Sequence, residues 1–304
     1  MKIHLITNCT NLKKRNIQGK VALESLTKKH SSQTIVNSWC KHLENAEQKV
    51  PAIELYAGDH WKVAKSIIIP NLDLWVLSAG YGLIHSSSNI GSYDATFSNG
   101  SENSINKTGL TNNEWWKALH QIRNSVNLKC HSLHSLVSTN ADDVFFIAAS
   151  PDYLRVIQAE LKELVFNKKL THKNLFIVSS KHNIDEKLTP FFLESSASFC
   201  RTLKGGRVSL NIRLAKYLLE QDEVNGFSHK KVIDKYNHLK NTSEKLLVNN
   251  RQKLSDDEIN SFITKELKFQ QGPKMSASML LKRLRSKNLA CEQKRFTRLF
   301  KDLI

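Results

Sequence analysis

Four short apolar runs constrain this chain more than any other feature. Residues 3–7 (IHLIT), 74–78 (LWVLS), 144–149 (VFFIAA) and 174–178, with the run LFIV, are each followed by small polar or glycine residues. Short continuous apolar runs with such ends read as strands buried on both faces, the signature of a parallel sheet. Helical patterns lie between them. Ile35, Trp39 and Leu43 recur at four-residue spacing within 33–47, Trp115-Trp116 opens a helix reaching about Cys130, and Pro151 sits in the first turn of another. The alternation predicts an α/β fold of three αβα layers around a four-stranded, mostly parallel sheet, with all four strand ends on one rim.

That rim is where chemistry is expected, and the stretch Leu74 to Phe97 is its richest part. Ala79-Gly80-Tyr81-Gly82 turns the chain and lets a ligand approach the backbone closely. Asp94 then arrives between Tyr93 and Phe97 as a lone carboxylate; a surface aspartate on a loop is the plain alternative. After the first strand come Asn8-Cys9-Thr10 and the basic Lys13, Lys14 and Arg15, which can hold a phosphate or stand as solvated charges. Asp59 reads as the cap of the helix carrying Trp61, with His60 beside it as a substrate-facing candidate. Ser150 ends the third run and Ser179-Ser180-Lys181-His182 follows the fourth. The pair Gly205-Gly206 leads through Arg207 into a helix, either an anion site or an ordinary loop.

Of 304 residues, 40% are hydrophobic, which suffices for a proper core, and the net charge is +17. Lys and Arg are spread along the whole chain, which favours a polyanionic partner, most simply nucleic acid, of which double-stranded DNA is one form. The five cysteines (Cys9, Cys40, Cys130, Cys200 and Cys291) form no CxxC pair, which argues against a zinc site or a disulfide frame and for a reducing compartment. With no apolar run near the roughly 20 residues of a membrane span, and a strand-like MKIHLIT at the start, a cytoplasmic protein with no metal and no cofactor is expected.

After Gly226 the character changes. Residues 1–225 read as the α/β domain and 226–304 as a basic helical one. Ser255 and Glu258 form a capping box, and Gln270-Gln271-Gly272-Pro273 breaks the chain. Ser276 caps a helix with Met279, Leu280 and Leu284 on one side and Lys282, Arg283 and Arg285 on others. A second helix sets Phe296, Leu299, Phe300 and Leu303 against Lys294, Arg295, Arg298 and Lys301. Two short helices with a tight turn suit a helix-turn-helix on nucleic acid; a small packing domain with solvated charges is the alternative.

The ordered series LITNCT, ELYAGDHW, WVLSAGYGLI, SYDATF, ASPDYL and GGRVSLN resembles a family of bacterial and phage domains with a core similar to the uracil-DNA glycosylase superfamily. It also resembles the glycosylase-like accessory domains found with tRNA-guanine transglycosylases. The resemblance spans roughly the first 220 residues. It implies a metal-independent DNA glycosylase related to a phage-defence enzyme that excises glucosylated hydroxymethylcytosine from T-even phage DNA. On that footing Asn8 orients water or the base, as in the members with asparagine after the first strand. Asp94 stabilises the sugar cation. Tyr81, Tyr93 and Phe97 hold the flipped base beside His60 and Ser150, while Lys13, Arg207, Lys282, Arg283 and Arg295 grip phosphates. The superfamily's His-Pro-Ser motif is departed from: Ala149 precedes Ser150-Pro151, so either His60 or His182 replaces the missing histidine or a protonated base leaves unaided. The alternatives are a transglycosylase-related exchange or accessory protein, although no zinc ligand set is visible, and a non-catalytic protein that binds modified DNA.

Overall fold

A computed structural model describes residues 1–14, 20–23, 31–125, 132–220, 227–244, 251–268 and 275–303. Arg15, Cys130, Gly226 and residues 270–273, named above, lie outside them. The chain forms two compact units, Met1–Glu244 and Lys245–Ile304.

The first unit is built on a six-stranded mixed sheet. Its strands are β1 (Ile3–Asn8), β2 (Leu72–Ser78), β3 (Gly82–His85), β4 (Val144–Ala148), β5 (Leu175–Ser179) and β6 (Phe192–Glu194), in spatial order β6-β5-β4-β1-β2-β3. The pairings from β6 to β2 are parallel, and only β3 runs antiparallel. The expected four strands are therefore the inner ones, with one more on each edge. β4 is buried along its whole length, and Leu5, Phe146, Phe176 and Val76 sit at the centre of the core. Burying each such side chain contributes about 1.5–3 kcal/mol.

The longer helices are α1 (Ser32–Glu44), α2 (Asp59–Lys65), α3 (Asn112–Ser125), α4 (Pro151–Phe166), α5 (Leu210–Leu219) and α6 (His229–Thr242). One group comprises α2 against α5, with α5 also on β4, β5 and α6; the other comprises α1 against α3, with α3 also on α4 and β3. This grouping is compatible with three αβα layers. Helix α6 belongs to this unit: Val232, Tyr236 and Leu239 are buried in its core, and the Tyr236 hydroxyl donates to the Glu194 carbonyl at 3.2 Å. The observed boundary at 244/245 thus falls after this helix, whereas composition alone suggested 225/226.

The glycine turn after β2 is a tight hairpin into β3, with Ser78 paired to Gly82. It does not open to a ligand. Trp115 Nε1 donates to the Ala79 carbonyl at 2.8 Å, and Trp39 Nε1 to the Gly80 carbonyl at 2.9 Å. A Cβ on Gly80 would stand 2.7 Å from the Tyr93 ring, so the missing side chain makes room for an aromatic core, not for substrate. Among the described residues, no helix is long and apolar enough to cross a membrane. Cys9, Cys200 and Cys291 carry free thiols.

The second unit packs α7 (Asp256–Lys268), α8 (Ala277–Ser286) and α9 (Gln293–Asp302) around Ile259, Ile263, Leu280, Leu284, Phe296 and Phe300. Gln252–Lys253 pairs with Leu289–Ala290. The Ser255/Glu258 capping box forms reciprocally at 2.7 and 3.2 Å, and Ser276 caps α8 through Met279 N.

Candidate functional site

At the carboxyl edge of the parallel sheet a cavity of about 450 Å³ opens, within the range of small-molecule sites. Its floor comes from the residues after β1 (Asn8 to Leu12) and from Ser150 and Tyr153 at the start of α4. Its walls come from Ala57 to His60, Thr96 and Ser98, and from Arg207, Val208 and Asn211 before and within α5. A parallel sheet gathers these loops on one edge because every strand ends there.

Asn8 is half-buried at the end of β1. Its Oδ1 accepts from the Ser150 backbone N–H at 3.0 Å, and its Nδ2 donates to the Cys9 carbonyl at 3.0 Å. One Oδ1 lone pair and one Nδ2 proton remain for a ligand or water. Ser150 precedes α4 without capping it through its side chain, so its hydroxyl is also available at the cavity. Asn211 is fixed in the wall by donating to the Ala149 carbonyl at 2.8 Å and accepting from the Ser195 hydroxyl. The first turns of α4 and α5 both contribute to this lining, and their N-terminal partial charge favours an anionic group nearby.

His60 is buried in α2, and its Nε2 lies 2.8 Å from Thr7 Oγ1. The Thr7 hydroxyl donates its own proton to the Ala148 carbonyl at 2.6 Å, which leaves it to accept from His60 in the tautomer that carries its proton on Nε2. Burial lowers the His60 pKa to about 4, with Asp59 and the Val208 carbonyl opposing the shift only in part. The ring is therefore neutral near pH 7. Asp59 is not the helix cap, a position held by Gly58. Its carboxylate accepts from Arg213 Nη2 through both oxygens at 2.9 and 3.0 Å and from the Ser209 hydroxyl. Those two hydrogen-bonded partners hold its pKa below the usual carboxylate range. A Cβ on Gly205 would collide with the Arg213 guanidinium at 2.0 Å, so Gly205 clears the path for this brace rather than cradling an anion.

Of the expected site residues, the fold brings together Asn8, His60, Ser150 and Arg207 at one cavity. It does not bring Asp94 there. Strand alternation at Tyr93–Asp94, paired with Val21–Ala22, turns Tyr93 inward and sends the Asp94 carboxylate to Lys20 Nζ. Tyr93 and Phe97 are fully buried and Tyr81 nearly so; all three are core, not base-stacking surfaces. Tyr93 OH bonds Tyr56 OH at 2.8 Å and Ser78 Oγ at 2.7 Å, and Tyr81 OH accepts from Gly91 N at 2.9 Å. Lys13 points its ammonium over the Tyr93 ring, 4.1 Å from the centroid, where burial lowers its pKa; it is not on a phosphate-facing surface. His182 packs on Phe192 and donates through Nδ1 to the Ser180 carbonyl at 2.8 Å, outside the cavity. Arg283 and Arg295 are engaged in ion pairs with Glu266 and Asp256, whereas Lys282 is exposed.

The cavity also contains residues that sequence reasoning passed over. Cys9 Sγ lies 3.1 Å from the Tyr153 hydroxyl under the floor, and burial, then the neighbouring thiol, raises the Tyr153 phenol well above its usual range. Leu12 and Val208, both at the cavity, are 64% and 90% exposed. Apolar side chains left in water are the signal that would have found them, and it exists only in three dimensions.

No protein-family model, curated protein or solved structure matches this chain.

Proposed function

We propose that the chain is a DNA glycosylase with a three-layer αβα core of uracil-DNA glycosylase type. It would hydrolyse the N-glycosidic bond of a modified base, glucosylated hydroxymethylcytosine in phage DNA, and so act in anti-phage defence. The observation that carries this reading is the convergence of Asn8, Ser150, two helix starts and exposed Arg207 on one cavity at the sheet's carboxyl edge. A base extruded from the stack enters that cavity. Asn8 holds the attacking water through its remaining Oδ1 lone pair. The water oxygen bonds the sugar's anomeric carbon as the carbon–nitrogen bond breaks. The bonding pair leaves with the base, where the two helix starts stabilise it, and a proton from the water restores the neutral product. Neutral His60 is spent on Thr7 and shapes the wall. Arg207 meets a flanking phosphate, while Leu12 and Val208 cover the gap in the stack.

One observation favours a second reading. Among the described residues, the only carboxylate lining the cavity is Asp59, and it is bound to Arg213 and Ser209. A protein that binds a modified base without cutting it needs no carboxylate at the sugar.

The test is incubation of purified protein with unmodified and glucosylated phage DNA. Freed base is identified by mass spectrometry, and abasic sites by alkali-dependent strand breaks. Release from modified DNA that is lost in Asn8→Ala, with DNA binding retained, supports excision. Binding without release from any modified DNA decides for the second reading.

A further inference from the structure

The second unit carries a surface that the cavity chemistry does not use. Residues 245–304 contain fourteen Lys and Arg against six Asp and Glu. The acids are largely spent inside the unit. Glu266 binds Arg283 and Lys287, Asp256 binds Arg295 and Arg298, and Glu292 caps α9 by accepting from Lys294 N and Arg295 N. These pairs staple α7 to α8 and α9.

In the same unit a cleft of about 490 Å³ is lined by Arg251, Lys282 and Arg285 together with Ser278, Leu281, Ser286 and Gln293. Among the described residues, no carboxylate lines it, and Arg251 keeps its Nε buried without a hydrogen-bond partner. Three cations and two hydroxyls around an open cleft match a phosphodiester. Gln293, at the cleft, is also the first residue of α9. From there Lys294, Thr297, Arg298 and Lys301 line the solvent side of the same helix, flanked at its two ends by Glu292 and Asp302, while Phe296, Leu299 and Phe300 hold its other side in the core.

We propose that α9 enters the major groove of B-form DNA while the Arg251/Lys282/Arg285 cleft seats a backbone phosphate beside it. Helices α8 and α9 then stand as the first and second helices of a helix-turn-helix. An α-helix with side chains is about 10–12 Å across and fits the B-DNA major groove, whereas the deep, narrow major groove of duplex RNA excludes it. The occupant is therefore duplex DNA. Its partner class is shared with the proposed glycosylase reading, but the inference rests on the charge and shape of this unit alone.

The experiment uses the full-length protein and fluorescence anisotropy with a labelled, unmodified DNA duplex and an RNA duplex of the same sequence, from about 50 to about 200 mM salt. Lys282→Gln is expected to weaken DNA binding about tenfold and to lower the log–log salt slope by about 1, with Lys282→Arg restoring both. Lys294→Glu with Lys301→Glu is expected to weaken it further, at unchanged thermal midpoint. Variants that bind like the parent, or RNA that binds as tightly as DNA, overturn the proposal. Base release is scored separately on saturating modified DNA. Variant-sensitive binding without any release supports this surface and removes the glycosylase reading; release with variant-insensitive binding does the reverse.

Discussion

Two regions of the first unit look alike in sequence and differ in outcome. Around Gly80–Phe97 and around Asn8–Ser150, strand ends carry glycine or small polar groups, aromatics and a potential catalytic side chain. In the first region every such group finds a partner. Two indoles bind the turn carbonyls, the Tyr56, Tyr93 and Ser78 hydroxyls bind one another, and Asp94 binds Lys20. In the second, Asn8 and Ser150 retain hydrogen-bonding capacity that faces open space. Chemical type does not separate a site from a core. Leftover capacity beside a cavity does.

The contrast can be broken most forcefully at Phe97. If that region is core, Phe97→Ala costs about 3–5 kcal/mol of stability, read from urea unfolding, and a loss below about 1 kcal/mol would return Phe97 to the surface. Next comes pH. His60 is neutral and buried in the folded chain, with a pKa of about 4 against 6.5 unfolded. The unfolded state therefore binds the extra proton first, so stability present above pH 6.5 is lost as pH falls towards 4, by on the order of 3 kcal/mol. His60→Gln should flatten that part of the unfolding profile relative to the parent; parallel profiles would deny the burial.

Asn8→Ala sharpens the other half of the comparison. Base release should fall about a hundredfold or more, the scale of losing one oriented polar group at the reacting centre, while the unfolding midpoint moves little. The smallest effect belongs to Asp94→Asn. Its ion pair with half-exposed Lys20 contributes about 1 kcal/mol or less, and base release should stay within about twofold. A hundredfold loss there would restore Asp94 to the chemistry.

Much of the frame was legible. The inner strands β1, β2, β4 and β5 were visible as apolar runs because both of their faces are covered. β6 has three residues and β3 four, too few to show a period. The strand ends Asn8 and Ser150 were legible as positions on one rim, and His60 as a side chain facing a ligand. Asp94 was misplaced because Tyr93–Asp94 is a two-residue strand whose facing depends on Val21–Ala22, far away in sequence. Lys13 was misread for a similar reason, since nothing local tells that its ammonium rests on the Tyr93 ring. Asp59 carries a helix-start signature, and its true partner, Arg213, is 154 residues distant.

The brace between Asp59, Arg213 and Ser209 has a bearing on how such a protein can change. It locks the two segments that frame the opening, one from α2 and one from the turn before α5, yet it leaves Val208 between them almost wholly in water and Leu12 largely so. Substitutions at those two rim positions therefore cost almost nothing in folding. A lineage whose ligand changes can retailor the doorway while the masonry stays put.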